Sequence, residues 1–213
     1  QVWSWDITKL RGNRKWTYYY LYVILDIFSR YVVGWMLAER ENAALAGRLI
    51  DETCARHGIR PGQLVLHADR GAPMTAKNTA QLLADLGVVR SLSRPHVSDD
   101  NPFSEAHFKT LKYHGEFPTR FASYPVAHTF CRKFFPWYNC EHRHGSLALL
   151  TPHDVHFGHA PRIVAARQRV LDAAFLAHPD RFVRGRPVQH HPPHEMWINP
   201  PPPAQEATAE RAH

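Results

Sequence analysis

Trp3-Ser4-Trp5-Asp6-Ile7-Thr8 alternates large apolar and polar residues, the period-two pattern of a strand whose side chains point to opposite faces. Asp6 therefore lies on the face away from Trp3 and Trp5. Outward from this strand, Arg11 to Lys15 is a polar loop, and Trp16 to Ile27 and Tyr31 to Leu37 are rich in Tyr, Val and Ile around a short Phe28-Ser29-Arg30 connection. That reads as a three-stranded antiparallel meander. From Asn42, an N-cap type, Leu45, Leu49, Ile50, Thr53 and Cys54 recur at helical spacing as far as His57-Gly58, where glycine suits a left-handed C-cap. Leu64-Val65-Leu66 is a short strand that delivers His67 and Asp69 at its C-terminal end, where α/β sheets build sites. A second helix is expected over Thr75 to Leu86, then a strand over Val88 to Leu92 and a loop from Ser93 to Pro102. A helix carrying Glu105, Phe108, Lys109, Leu111 and Lys112 follows. The order is three strands, helix, strand, helix, strand, helix.

The length of 213 residues suits one domain plus an extension. Lys and Arg outnumber Asp and Glu by 26 to 19, giving a formal charge of +7 with 16 histidines in addition. A polyanion is a natural partner for such a chain, although a basic surface alone does not establish one. Three cysteines without close pairing argue against a disulfide framework and a thiolate zinc site, and fit a reducing cytoplasm. His142, His144, His153, His156 and His159 invite a zinc reading, but no paired cysteines accompany them. The most apolar stretch, Tyr18 to Leu37, is interrupted by Asp26, Ser29 and Arg30, so no membrane span is expected. No signal-peptide pattern opens the chain, and the start at Gln1 suggests a fragment or processed product. Residues 1–160 form the expected core and 161–184 a helical extension. The Pro/His-rich 185–213 is expected to be disordered or draped over the core.

Asp6 lies in one strand, Asp69 ends another and Glu105 opens a helix, so acids remote in sequence converge if the strands are neighbours. Singly, each has an ordinary explanation as a turn, cap or dipole residue. Together they form a cluster of like charges that is tolerable mainly around cations, and magnesium prefers a few carboxylates with water and phosphate oxygens. Two ions would serve phosphoryl transfer. Glu105, Lys109 and Lys112 share one helix face, which brings both ammonium groups toward the same phosphates. Asp26, beside a turn, reads as structural, and so does His67.

Thirty-five residues separate Asp69 from Glu105, and this spacing, with its neighbouring words, resembles the retroviral-integrase superfamily of ribonuclease H-like fold. The words are Trp3 to Thr8, Leu25 to Trp35, Leu66-His67-Ala68-Asp69-Arg70-Gly71, Asp100-Asn101-Pro102-Phe103-Ser104-Glu105, Tyr138-Asn139, His142-Arg143-His144 and Leu150-Thr151-Pro152. They are most similar to the B-frame transposases of frameshifting bacterial insertion sequences. The resemblance implies an α/β, ribonuclease H-like mixed five-stranded sheet with helices on both faces. It implies Asp6, Asp69 and Glu105 as catalytic and metal-binding acids for Mg2+ or Mn2+, with two ions when DNA is bound. Lys109, Lys112 and Arg143 are the expected DNA-binding residues. The implied partners are transposon-end and target DNA, further copies of the chain on that DNA, and an upstream-frame helix-turn-helix polypeptide, with a nucleoid-associated bacterial location. A catalytically silent DNA-binding or assembly fragment and a ribonuclease H-like nuclease are the alternatives. Departures include Ala68 in place of a usual serine, Pro102 after Asn101, a shifted His142–Leu147 word, and Pro136, which is expected to kink or end its helix.

Overall fold

The computed structural model describes residues 1–94 and 100–198. The alternating segment at the start is the central strand, β1 (Val2–Arg11). Strand β2 (Tyr18–Asp26) pairs antiparallel with it, and β3 (Val32–Ala38) antiparallel with β2. Two short strands, β4 (Val65–Ala68) and β5 (Val89–Leu92), add in parallel on the other side, so the order is β3-β2-β1-β4-β5. Short strands suffice there because β4 is covered on both faces and needs little length to deliver the residue after Ala68.

Between β3 and β4 runs α1 (Ala43–Arg56), capped by the Asn42 side chain, which accepts from the Ala44 amide at 2.7 Å. The helix expected over Thr75 to Leu86 forms as α3 (Lys77–Asp85), and a short α2 (Ala72–Thr75) that was not expected precedes it across an extended Ala76. The Thr79 hydroxyl donates to the Pro73 carbonyl at 2.8 Å across the break, replacing a lost helical bond. Helix α1 and its neighbours cover the face carrying Trp3, Trp5, Tyr22 and Ile24. The opposite face, with Leu10, Leu21, Val23 and Leu25, is covered by α4 (Pro102–Lys112) and α5 (Tyr124–Cys140) through Leu111, Phe134, Phe135 and Tyr138, with Phe121 from the segment between them. The sheet is thus mixed, five-stranded and helix-covered on both faces.

Helix α5 continues through Pro136 to Cys140. Of the two outcomes expected, a kink or an end, the end does not occur: Pro136 and Arg132, whose carbonyl loses its donor, are both on the exposed side, where solvent can satisfy that carbonyl. Beyond it, Leu147, Leu150, Val155, Ala160 and Val164 make a small second core beneath α6 (Pro152–His156) and α7 (Ala160–Ala177). The rest of α7 is sparsely packed, with Val170 and Leu176 exposed. Residues 186–189 run back along α7: Arg186 pairs with Asp172 at 2.8 Å, and Gln168 bonds the Pro187 carbonyl and the Gln189 amide. Residues 95–99 of the 93–102 loop and the segment beyond 198, on which the expectation of a disordered or draped tail partly falls, lie outside the described residues. None of the described helices is long and apolar enough to cross a membrane.

Candidate active site

Strand register sets the first two acids. Trp5 pairs with Ala68 across the parallel β1–β4 ladder, so the next position on each strand, Asp6 and Asp69, falls side by side. Each carboxylate is steadied by its own backbone. Asp6 Oδ1 accepts from the Ile7 amide at 2.7 Å and Asp69 Oδ1 from the Gly71 amide at 2.8 Å. Gly71 leaves room for this contact: a Cβ there would stand 3.0 Å from Asp69 Oδ1 and 2.8 Å from Met74 Sδ, so the thioether would have to shift.

Glu105 is placed by a buried polar rivet between β1 and α4. The Ser4 hydroxyl donates to Asn101 Oδ1 and meets the Ser104 hydroxyl at 2.7 Å, while the Asn101 amide reaches the Trp5 carbonyl at 3.5 Å. Asn101 thus ties α4 to the strand rather than capping the helix with its side chain, and Pro102 fills the first turn, where a missing N–H costs nothing. Ser4 lies two residues from Asp6 on the same face of β1, so the residue before Glu105 is bolted beside Asp6. The Asn101 end of this connection is also fixed: buried Asp100 accepts from the Arg94 backbone amide at 2.7 Å and from two arms of its guanidinium at 2.8 and 3.0 Å.

The electrostatics report the convergence. Burial pushes the Asp6 carboxyl up to about 7 against the pull of the Ile7 amide, with Asp69 and Glu105 raising it further and Lys112 drawing it down. A half-buried carboxyl crowded by two other acids is a group that a bound cation would return to its charged form. The donors are all carboxylate oxygens, the set magnesium or manganese prefers, so these residues fit a divalent ion.

Other residues expected from the sequence are distributed unevenly. Lys112 belongs to this constellation through its action on Asp6, and Lys109 is exposed on the same helix. Arg143 lies beyond α5 and donates to the Leu149 carbonyl at 3.2 Å, and it is not among the charges acting on Asp6. Asp26 is buried and accepts from the Ser29 amide and hydroxyl, both at 2.8 Å. His67 is buried between the Ser91 hydroxyl and the Asp100 carbonyl, each 2.9 Å away. Asn139 completes the edge of β3 by pairing both its amide atoms with Val32. The Ser4–Asn101–Ser104 rivet escaped sequence reasoning. Its one signal, polar Ser4 in the alternation of β1, also fits a solvated strand face. Among the described residues, the His, Cys, Asp or Glu cluster whose ligand atoms all lie within 4.8 Å of one another is His153, Asp154 and His159. The three acids do not close to that distance.

A mixed sheet in this order, with acids on the central strand, after its parallel neighbour and at the start of the covering helix, defines the ribonuclease H-like class. The catalytic core of HTLV-2 integrase, a structure solved in complex with magnesium, has this fold: TM-score 0.52, 15% identity, 73% of this chain and 95% of that one covered. Two integrase core domain family models match residues 1–98 and 86–152, and the chain belongs to the integrase core domain family. It is 30% identical over 155 residues to the transposase for insertion sequence element IS904 of Lactococcus lactis, covering 72% of this chain and 60% of that protein. It is 34% identical over 119 residues to transposase InsF for insertion sequence IS3A of Escherichia coli, covering 54% and 40%. The chain thus spans 60% and 40% of the length of these two curated relatives.

Proposed function

We propose that this chain is the catalytic core of a bacterial insertion-sequence transposase, a metal-dependent polynucleotidyl transferase acting on chromosomal DNA in the cytoplasm. The observation that carries the reading is the gathering of Asp69, Glu105 and Lys112 around Asp6, in the middle of β1 and beside the end of β4, in a chain whose relatives are transposases. Water attacks the phosphorus at the element end, the P–O3′ bond breaks, and a 3′-hydroxyl is freed. That hydroxyl then attacks a target phosphorus by in-line transesterification, displacing a second 3′-oxygen, so no protein-bound intermediate forms. Asp6, Asp69 and Glu105 would hold Mg2+ or Mn2+, two ions with DNA present, which when bound activate the attacking oxygen and stabilise the leaving one. Lys112, with Lys109 one turn earlier, holds the end phosphate against the acids, and the Ser4–Asn101–Ser104 rivet keeps Glu105 in register. Further copies of the chain and an upstream-frame DNA-binding polypeptide complete the assembly on the element ends.

The deciding experiment is divalent-metal-dependent nicking of duplex DNA carrying the element's own end, with Asp6→Asn, Asp69→Asn and Glu105→Gln alongside the parent. Loss of a metal ligand is expected to cost more than about 100-fold, beyond the 10–100-fold cost of losing a ligand's outer partner, with far-UV circular dichroism unchanged. Nicking retained with both aspartates neutralised would sink the assignment, and preferential cleavage of an RNA–DNA hybrid would move it to the nuclease alternative.

A further inference from the structure

We propose that His153, Asp154 and His159 form a second cation site, for zinc or a similar borderline transition metal, chemically distinct from the carboxylate cluster. All three residues fall within one short turn of chain. Helix α6 ends at His156, and Gly158, with φ of +72°, turns the backbone into the left-handed region, so that the His159 amide closes onto the Asp154 carbonyl at 2.8 Å. This fold-back sets the His159 ring over the first turn of α6, where its centroid lies 5.5 Å from that of His153 at an interplanar angle of 51°. One nitrogen from each ring and one Asp154 oxygen then lie within 4.8 Å of one another.

The arrangement has the features of a built site. Asp154 Oδ2 accepts from the Thr151 amide at 3.2 Å in the capping box that opens α6, which orients the carboxylate as an outer partner orients a metal ligand. Aromatic rings wall in His153, with Phe157 4.7 Å and Tyr31 6.5 Å away, centroid to centroid; His153 and Asp154 are half-buried, and His159 closes the cluster from the exposed side. Tetrahedral zinc with bonds near 2.0–2.1 Å places its ligand atoms ~3.3 Å apart. The separations of up to 4.8 Å must therefore contract by up to about 1.5 Å on binding. Two imidazoles and one carboxylate select zinc, cobalt or nickel over magnesium, which takes oxygen donors. His156, although adjacent, is engaged elsewhere: its Nδ1 meets the Ser29 hydroxyl at 3.0 Å and its ring stacks on Tyr31. The ion would clamp α6 to the start of α7 over the small core of Leu147, Leu150, Val155, Ala160 and Val164, leaving a fourth position for water.

The test is Zn2+ titration of the tag-free chain by calorimetry in excess Mg2+, with Co2+ as a visible-absorption probe of the same site. One equivalent of Zn2+ is expected to bind and to displace Co2+. Affinity should fall by more than about tenfold in His153→Gln, His159→Gln and Asp154→Asn; Asp154→Asn retains an acceptor oxygen for Thr151, which guards against simple loss of the turn. His191→Gln and Asp69→Asn should bind as the parent does. No stoichiometric Zn2+ binding by the parent, binding that survives the three ligand substitutions, or binding abolished by Asp69→Asn would each overturn the proposal.

Discussion

At Asp6, the same burial that places a carboxyl beside two others makes the metal-free protein pH-sensitive. Its folded pKa, raised to about 7, exceeds the unfolded value near 3.9. Between these values the folded state holds more protons than the unfolded one, so this group lowers stability as pH rises from about 4 to 7. In metal-free buffer Asp6→Asn should therefore match the parent at pH 4 and exceed it by about 1–3 kcal/mol at pH 8. Added Mg2+ should stabilise the parent and not the variant. Urea denaturation at the two pH values checks this, and equal stability at both would mean that Asp6 is not held in a charge-repelling setting. Lys112 acts at the same place with opposite sign. If it holds an end phosphate, Lys112→Ala should reduce the slope of log affinity against log salt by about one, whereas Lys77→Ala, on α3, changes affinity less. Equal effects in a fluorescence-anisotropy titration would make Lys112 one member of a diffuse basic surface.

Among the elements, α5 shows where local rules yield to packing. Proline in a helix interior costs about 3 kcal/mol relative to alanine, yet the buried side of α5, with Cys131, Phe134, Phe135 and Tyr138, outweighs that cost and carries the helix through Pro136. Restoring the missing donor should consequently stabilise: Pro136→Ala is expected to add about 1–3 kcal/mol. That corresponds to a rise of about 2–4 °C per kcal/mol for a chain of this size. A calorimetric Tm that falls instead would show that α5 depends on the proline. What was legible in the sequence follows the same division. The alternation of Trp3, Trp5 and Ile7 and the Asn42 cap are local signals, and the strands and α1 formed where they point. The break at Ala76 was not legible, because it depends on the Thr79–Pro73 bond and a buried Met74. Asp6, Asp69 and Glu105 could be singled out by their words and spacing, but the rivet that positions Glu105 joins residues about a hundred apart, and no periodicity records such a pairing. His153 and His159 stood out in composition while Asp154 between them did not, since its partnership depends on the Gly158 turn.

For the molecule as a whole, the histidines decide the response to acid. Burial pushes His107 down to about 3 and His144 to about 4, and lowers His67, His142 and His156 as well. Each takes up its proton at lower pH when folded than when unfolded, where the value is near 6.5, so stability is lost as pH falls below 6.5. Asp6 pulls the other way over the same range, and several histidines outweigh one carboxyl. His107 is the sharpest probe, being enclosed by Phe134, Phe135 and Tyr138 with neither ring nitrogen hydrogen-bonded among the described residues. His107→Phe should lose no bond and should reduce the stability difference between pH 6.5 and 4.5 by about 2 kcal/mol, read from urea midpoints. An unchanged difference would place the acid sensitivity elsewhere.

The pairing of Asp6 with Asp69 rests on ladder register, and this separates two kinds of length change during descent. Residues gained or lost in the Arg11–Thr17 turn or around Gly58–Gln63, where the backbone leaves the sheet, alter the chain distance between the two acids and leave their neighbourhood intact. One residue lost from Val2–Trp5 would leave β4 aligned one step out of phase with β1 and turn Asp6 toward the tryptophan side. Lineages of this core are thus free to drift in length between strands while being held to zero within them, and an alignment gap inside Val2–Asp6 or Val65–Asp69 would mark a copy in which the two acids no longer meet.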